Sequence, residues 1–243
     1  MNVVTCENYE RLSAQAAAIV GAQIERKHSL LLCAATGNSP IGLYGELARR
    51  AAVDRELFRS IKVVALDEWG GLRETDPGSA AGYLRERVLT PLAISPDRFI
   101  AFDPGIDPAE ACSRMRAELE RIGPIDLAVL GLGRNGHVGF NEPGPALVPY
   151  CHVAQLSDET QAHAMTRSMP RPPQHGLTLG LQEILASRRI LLLVTGEGKQ
   201  QTVARLLTEA VTTTLPASLL WLHGSVDCLV DKALLRDAAT GGA

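Results

Sequence analysis

Ile125-Asp126-Leu127-Ala128-Val129-Leu130-Gly131-Leu132-Gly133-Arg134-Asn135-Gly136-His137-Val138-Gly139-Phe140-Asn141-Glu142-Pro143-Gly144 is a mostly apolar run that breaks into a glycine-rich loop. Residues 125–130 read as a buried strand. The glycines at 131, 133, 136 and 139 and the terminal Pro143-Gly144 force a tight, irregular connection after it. His137 and Glu142 stand inside that loop. Loops at the carboxyl ends of buried strands are where open α/β sheets hold their ligands. The spacing Gly131-x-Gly133-x-x-Gly136 also matches the dinucleotide fingerprint. That fingerprint needs a helix to start at the third glycine, so that its amino end can hold a pyrophosphate. Gly139, Pro143, Gly144 and Pro145 deny that helix, which excludes a NAD site. A glycine-rich turn with an incidental His and Glu is the alternative reading. An Asn, a His and a Glu gathered behind one strand favour chemistry.

Outward from this loop, apolar strand-like runs alternate with amphipathic stretches. Helices are expected over residues 8–26, 40–52, 79–91, 108–121 and 198–209. Strands are expected over 30–35, 61–66, 125–130 and 189–194, with a short closing strand at 219–222. The first strand is thus placed near residue 29. This alternation predicts an α/β fold: three layers, α/β/α, with a Rossmann-like, mostly parallel sheet and helices on both faces. No linker, repeat or low-complexity segment divides the chain, so residues 1–243 are expected to form one domain. Residues 238–243 read as a frayed tail. Residues 139–176 show no periodicity and read either as a lid or as a surface excursion without a role.

Composition narrows the function classes. The chain has 243 residues, 46% apolar and 21% charged, with a net charge of −3. A mild acidic excess does not suit a nucleic-acid surface or anionic lipid. No apolar run approaches the length of a membrane span. Met1 to Asn8 lacks a basic region followed by an apolar core, so no secretion signal is expected. Five scattered cysteines, Cys6, Cys33, Cys112, Cys151 and Cys228, show neither zinc-type spacing nor an even count for a disulfide framework. Reduced thiols in a cytoplasm follow, and no metal is expected.

Four candidate sites fall at strand ends. Thr36-Gly37-Asn38-Ser39 joins the strand at 30–35 to the next helix, with Ser39 as N-cap and Pro40 as first helical residue. Gly37 lets backbone amides approach an anion. Leu43 stands where a Walker lysine would be, so a small phosphate is expected rather than a nucleotide. An ordinary capped turn is the competing reading. Asp67-Glu68-Trp69 places two adjacent carboxylates at a strand end, where neighbours point in opposite directions. One can face a substrate as a base with a raised pKa, while the other caps a helix or pairs with a cation. In the central loop His137 can exchange protons near neutrality, Glu142 can fix its tautomer, and Asn135 can bond the same network. Lys199 follows a strand and opens a helix, a position that suits a phosphate; a solvated lysine is the alternative. Together these supply a base, a proton shuttle and a phosphate cradle on one sheet edge, a set fitted to proton transfer on a small sugar phosphate.

These residues resemble the hexosamine-6-phosphate deaminase family. The resemblance rests on Ala35-Thr36-Gly37-Asn38-Ser39-Pro40, Leu66-Asp67-Glu68-Trp69, the run from Gly131 to Gly144, and Gly196-Glu197-Gly198-Lys199, in this order across nearly the whole chain. The related 6-phosphogluconolactonases share Gly136-His137 but usually lack Asn141-Glu142-Pro143. Cys151-His152, Gln155-Leu156, Gly176 to Leu181 and Trp221-Leu222-His223 look most like the galactosamine-6-phosphate branch. The resemblance implies that Asp67 moves a proton between C2 and C1, and that His137, oriented by Glu142, opens the pyranose ring. It implies that Thr36, Gly37, Asn38, Ser39 and Lys199 cradle the phosphate, with Arg167 as the lid arginine. Asn135 stands where some relatives carry Asp and others Asn. No basic residues around 149–154 match those that bind an activating acetylated sugar in some hexameric relatives, so no such activation is expected. The expected partner is a small sugar phosphate, with self-association as a homo-oligomer as an accompanying expectation; nucleic acid, membrane and a cofactor are not expected. The competing readings are a lactonase and a non-catalytic sugar-phosphate sensor.

Overall fold

The computed structural model describes residues 1–162, 166, 169 and 173–235. Parallel strands alternate with helices from the start of the chain. They run β1 (Asn2–Cys6), α1 (Tyr9–Arg26), β2 (Leu31–Ala34), α2 (Ile41–Val53) and β3 (Lys62–Ala65). Then come the short strand β4 (Asp67–Trp69), α3 (Ala80–Leu84), β5 (Phe99–Ile100), α4 (Pro108–Ile122) and β6 (Leu127–Gly131). The second half holds β7 (His152–Gln155), α5 (Asp158–Gln161), β8 (His175–Thr178), α6 (Leu181–Leu185), β9 (Ile190–Val194), α7 (Gln200–Leu206) and β10 (Val226–Asp231).

Among the described residues seven strands form one parallel sheet in the order β1-β10-β9-β6-β2-β3-β5. Burial on both faces explains the apolar runs, because a parallel sheet has no solvated side. In β2, Leu31 and Cys33 enter one core with Met115 of α4, Ile184 of α6 and Val203 of α7. Leu32 and Ala34 enter the other, with Leu12, Val20 and Ile24 of α1 and Leu43 and Leu47 of α2. The result is the expected three-layer α/β/α arrangement.

The strand order reverses between β2 and β6. From β2 the chain builds outward through β3 to β5, and from β6 it builds the other way through β9 and β10. Connections leaving the carboxyl ends on either side of such a switch point diverge and open a crevice. A three-stranded antiparallel sheet, β4-β8-β7, lies beside it, with Asp67 opposite Thr178. Leu66, whose carbonyl accepts from Leu179 N at 2.9 Å, carries the chain from the main sheet into the second one.

Several expected elements differ. The first strand is β1, not the one near residue 29. The segment at 219–222 belongs to a 3-10 helix, Pro216–Leu222, and the closing strand is β10. Pro216 fixes the helical start, and Ser218 N bonds Leu215 O at 2.8 Å in the 3-10 pattern. The helix expected over 79–91 is α3 followed by a π-helical turn, Arg85–Leu89. Pro40, rather than Ser39, is the N-cap of α2. The stretch from 139 to 176 contains β7, α5 and the start of β8. The tail at 238–243 lies outside the described residues.

Candidate active site

Loops leaving β2, β3, β6 and β9 converge on one cavity of about 410 Å³. Its wall includes Thr36, Gly37, Asn38 and Ser39 after β2, Asp67 after β3, Asn135 and His137 after β6, and Lys199 after β9. Trp69 and Phe140, with ring centroids 4.6 Å apart, form an apolar side of it.

Asp67 is 8% exposed, and burial together with the charge of Glu68 pushes its carboxyl up to about 7. Glu68, on the opposite face of the strand, is used differently. Its two carboxylate oxygens accept from the amides of Trp69, Ala80 and Ala81 at 2.8–2.9 Å and from the Ser79 hydroxyl at 3.0 Å. It therefore holds the amino end of α3 onto β4. Burial pushes its pKa up and those four donors pull it back, leaving it raised. Four donors and a carboxylate fit the ionised form.

The central loop and α5 build a second group. His137 Nδ1 lies 3.4 Å from Glu142 Oε1 and 3.3 Å from Thr160 Oγ1. Thr160 donates to Glu142 Oε1 at 2.6 Å, and Asn135 Nδ2 donates to Glu142 Oε2 at 2.7 Å. Asn135 Oδ1 also accepts from the His137 amide at 3.1 Å. Burial raises Glu142, but the bonds from His137, Thr160 and Asn135 outweigh it and hold the carboxyl below its usual range. With Nδ1 committed to Glu142, Nε2 is the ring nitrogen left for a ligand. Gly133 leaves room for this ring: a Cβ there would stand 2.5 Å from His137 Nε2. Gly133→Ala is expected to displace the imidazole and lower kcat by about 10²-fold with little change in KM, since small misplacements cost that much. Steady-state kinetics and the melting temperature of the variant check it; unchanged kcat would mean that the ring position carries no catalysis.

The loops after β2 and β9 supply a further part of the cavity wall. Tyr44, Tyr83 and Tyr9 hydroxyls donate to the carbonyls of Ala35, Gly37 and Asn38 at 2.7–2.9 Å. Among the described residues no acceptor takes the amide hydrogens of residues 36–39. Thr195 Oγ1 donates to Ser39 Oγ at 3.0 Å and ties this loop to the end of β9. Lys199 is pushed down to about 8 by burial and by the nearby charge of Arg134.

Arg167 lies outside the described residues. Three residues that the sequence did not single out belong to the site: Thr160 and Ser157, which bond the Glu142 network, and Arg134, which lines the cavity. Ser157 followed by Asp158 and Glu159 carried a legible helix-start signal, and Ser157 does cap α5. Its distance in sequence from Glu142 hid the contact. Among the described residues no group of three or more His, Cys, Asp or Glu side chains gathers to hold a metal ion.

A family model described as glucosamine-6-phosphate isomerases/6-phosphogluconolactonase matches residues 7–229. The chain belongs to this family. The match spans every cavity-lining residue from Ala35 to Lys199, so family membership covers the whole site. A protein of Escherichia coli K12, provisionally named deaminase AgaI, is 42% identical over 93% of this chain and 90% of its own length. Glucosamine-6-phosphate deaminase 1 of Bacillus subtilis 168 is 39% identical over 96% of this chain and 97% of its own. A solved structure of a monomeric glucosamine-6-phosphate deaminase superposes with a TM-score of 0.91 at 38% identity, covering 96% of this chain and 98% of that one. The 6-phosphogluconolactonase of Trypanosoma cruzi, at 18% identity and a TM-score of 0.78, shares the fold.

Proposed function

We propose the following reaction for this chain, which is an amino-sugar-phosphate deaminase/isomerase: a 2-amino-2-deoxyhexose 6-phosphate and water become the ketose 6-phosphate and ammonia. Galactosamine 6-phosphate and glucosamine 6-phosphate are the substrates considered. The observation that carries the reading is the shared cavity: a base of raised pKa, an imidazole, unbonded amides and a lysine all line it.

His137 Nε2 takes the proton from O1 and delivers one to O5, which opens the ring to the aldehyde. Glu142, Thr160 and Asn135 hold the imidazole and stabilise its charged form in passing. The Asp67 carboxylate removes the C2 proton and returns it to C1. The electron pair of the broken C2–H bond forms the C1–C2 double bond while the C1=O π pair moves onto O1, which takes up a proton, giving an enolamine. Protonation at C1 leaves an imine at C2, water adds there, and the C2–N bond breaks to release ammonia. Trp69 and Phe140 keep the Asp67 end poor in water, which keeps its carboxyl basic. Thr36, Gly37, Asn38, Ser39 and Lys199 fix the phosphate so that C1 and C2 come to rest against Asp67. Arg167 is assigned to the lid over that phosphate. Residues 1–243 act as one domain in this reading, and the five free cysteines suit a reducing cytoplasm.

Ammonia release from galactosamine 6-phosphate and glucosamine 6-phosphate, measured side by side, tests the proposal. Turnover of at least one is expected. No ammonia from either, with acid released from 6-phosphogluconolactone, would replace this reading by hydrolysis of the lactone.

A further inference from the structure

Arg134 is an unclaimed cation in the wall of the cavity. It stands on the loop after β6, one residue before Asn135. Its main-chain carbonyl accepts from the Thr202 hydroxyl of α7, which fixes the loop against the segment carrying Lys199. Its guanidinium lies across the turn at Gly198: a Cβ built there would stand 3.4 Å from both Arg134 Cζ and Nε. Gly198 also has a φ of +78°, a backbone shape that favours glycine, and a Cβ there would only touch the guanidinium.

The charges around this arginine are unbalanced. Many arginines elsewhere are matched: Arg114 and Arg116 pair with Glu110 and Glu120 on α4, and Arg189 with Asp227. Among the described residues no carboxylate comes within ion-pair distance of Arg134 or Lys199, although Glu197 lines the same wall. Arg134 sits close enough to Lys199 for its charge to disfavour the ammonium. Two like charges held together without a counter-ion cost free energy that a bound dianion would return. A lysine supplies a point charge, whereas a guanidinium supplies a planar fork for two phosphate oxygens.

We propose that Arg134 is a further phosphate-binding residue, clamping the 6-phosphate together with Lys199 across the Gly196–Lys199 turn. The proposal rests on the sugar-phosphate reading for its ligand, and the geometry around Gly198 carries its position.

The test uses the full chain and inorganic phosphate as the probe, with Arg134→Ala, Arg134→Lys, Lys199→Ala and, as a distant control, Arg114→Ala. Phosphate is expected to raise the melting temperature of the parent and of the Arg114 control. Its apparent affinity should fall about 10-fold or more in Arg134→Ala and in Lys199→Ala, the loss that goes with one charge-assisted contact. Arg134→Lys should recover part of that loss. In turnover of the amino-sugar phosphate, Arg134→Ala should raise KM by a similar factor and change kcat much less. Unaltered phosphate binding in Arg134→Ala would overturn the proposal. So would a fall in its melting temperature in phosphate-free buffer that Arg134→Lys does not restore, because the arginine would then be structural. If the parent released no ammonia from either sugar phosphate while phosphate binding still depended on Arg134, the reaction would be wrong and this anion site would stand.

Discussion

Asp67→Asn is expected to lower turnover by about 10²–10⁴-fold, the span usual for a lost general base, while raising the melting temperature at pH 8. The two effects have one cause. Asp67 is buried beside a second carboxylate, and its pKa is pushed up from 3.8 to about 7. Above pH 7 the native state must carry a desolvated charge next to Glu68. Between pH 4 and 7 the folded chain holds a proton there that the unfolded chain has released. Stability from this group is therefore full below about pH 4 and is lost as pH rises to 7. The gap between the two pKa values corresponds to on the order of 4 kcal/mol. Part of it is recovered by the amide, which is neutral but must itself be hydrated or bonded, so a gain of about 1–3 kcal/mol is expected. For a chain of this size that is a rise in melting temperature of roughly 3–10 °C. At pH 4 the parent carries the neutral acid and the difference should vanish. Thermal melts of both proteins at pH 4 and pH 8, beside kinetics at pH 8, check it. A variant that is inactive but no more stable at pH 8 would mean that the carboxylate is not strained by its surroundings.

The same carboxyl sets the acid side of the pH profile. A base must be ionised to accept the C2 proton, so kcat/KM of the parent falls as pH drops through the free enzyme's Asp67 pKa, near 7.

The sequence carried most of this arrangement because its signals were local. Apolar runs ending in Gly, Asp or Thr marked the carboxyl ends of β2, β3, β6 and β9, and those ends are where the cavity opens. The order of the strands was not local. Nothing in the letters says that β6 pairs with β2 rather than β5, yet that pairing creates the switch point. In the edge strand β1 only Cys6 is buried, so it lacks the apolar run that exposes an interior strand. At 216–222, Leu219-Leu220-Trp221-Leu222 reads as a strand until Pro216 imposes a 3-10 turn. The site was lost where contacts bridge distant segments. Thr160 meets Glu142 from α5, inside a stretch too polar to show periodicity. Arg134 lay in a quoted motif, but its meeting with the Gly198 turn depends on how two loops fold towards each other.

Glu68→Ala is the second change with a large expected effect, and it acts on the fold first. In the parent the Glu68 carboxylate is the shared acceptor for three main-chain amides and one hydroxyl, 4% exposed. Alanine leaves those donors with no partner and opens a polar void between β4 and α3. Buried donors without acceptors cost about 1–3 kcal/mol each, and partial entry of water limits the sum to about 3–5 kcal/mol. Glu68→Gln separates the charge from the shape. It keeps one acceptor oxygen and turns an NH2 towards a donor, so it should cost less, about 1–3 kcal/mol. It also removes the negative charge that helps to hold Asp67 up. The acid limb of kcat/KM in Glu68→Gln should then move to lower pH, with burial still keeping Asp67 above an ordinary aspartate. Denaturant melts give the stability order parent, Gln, Ala, and a pH–rate profile of the Gln variant gives the limb. A limb that stays in place would show that desolvation alone sets the base, and that Glu68 serves only to fasten α3 to the strand that carries it.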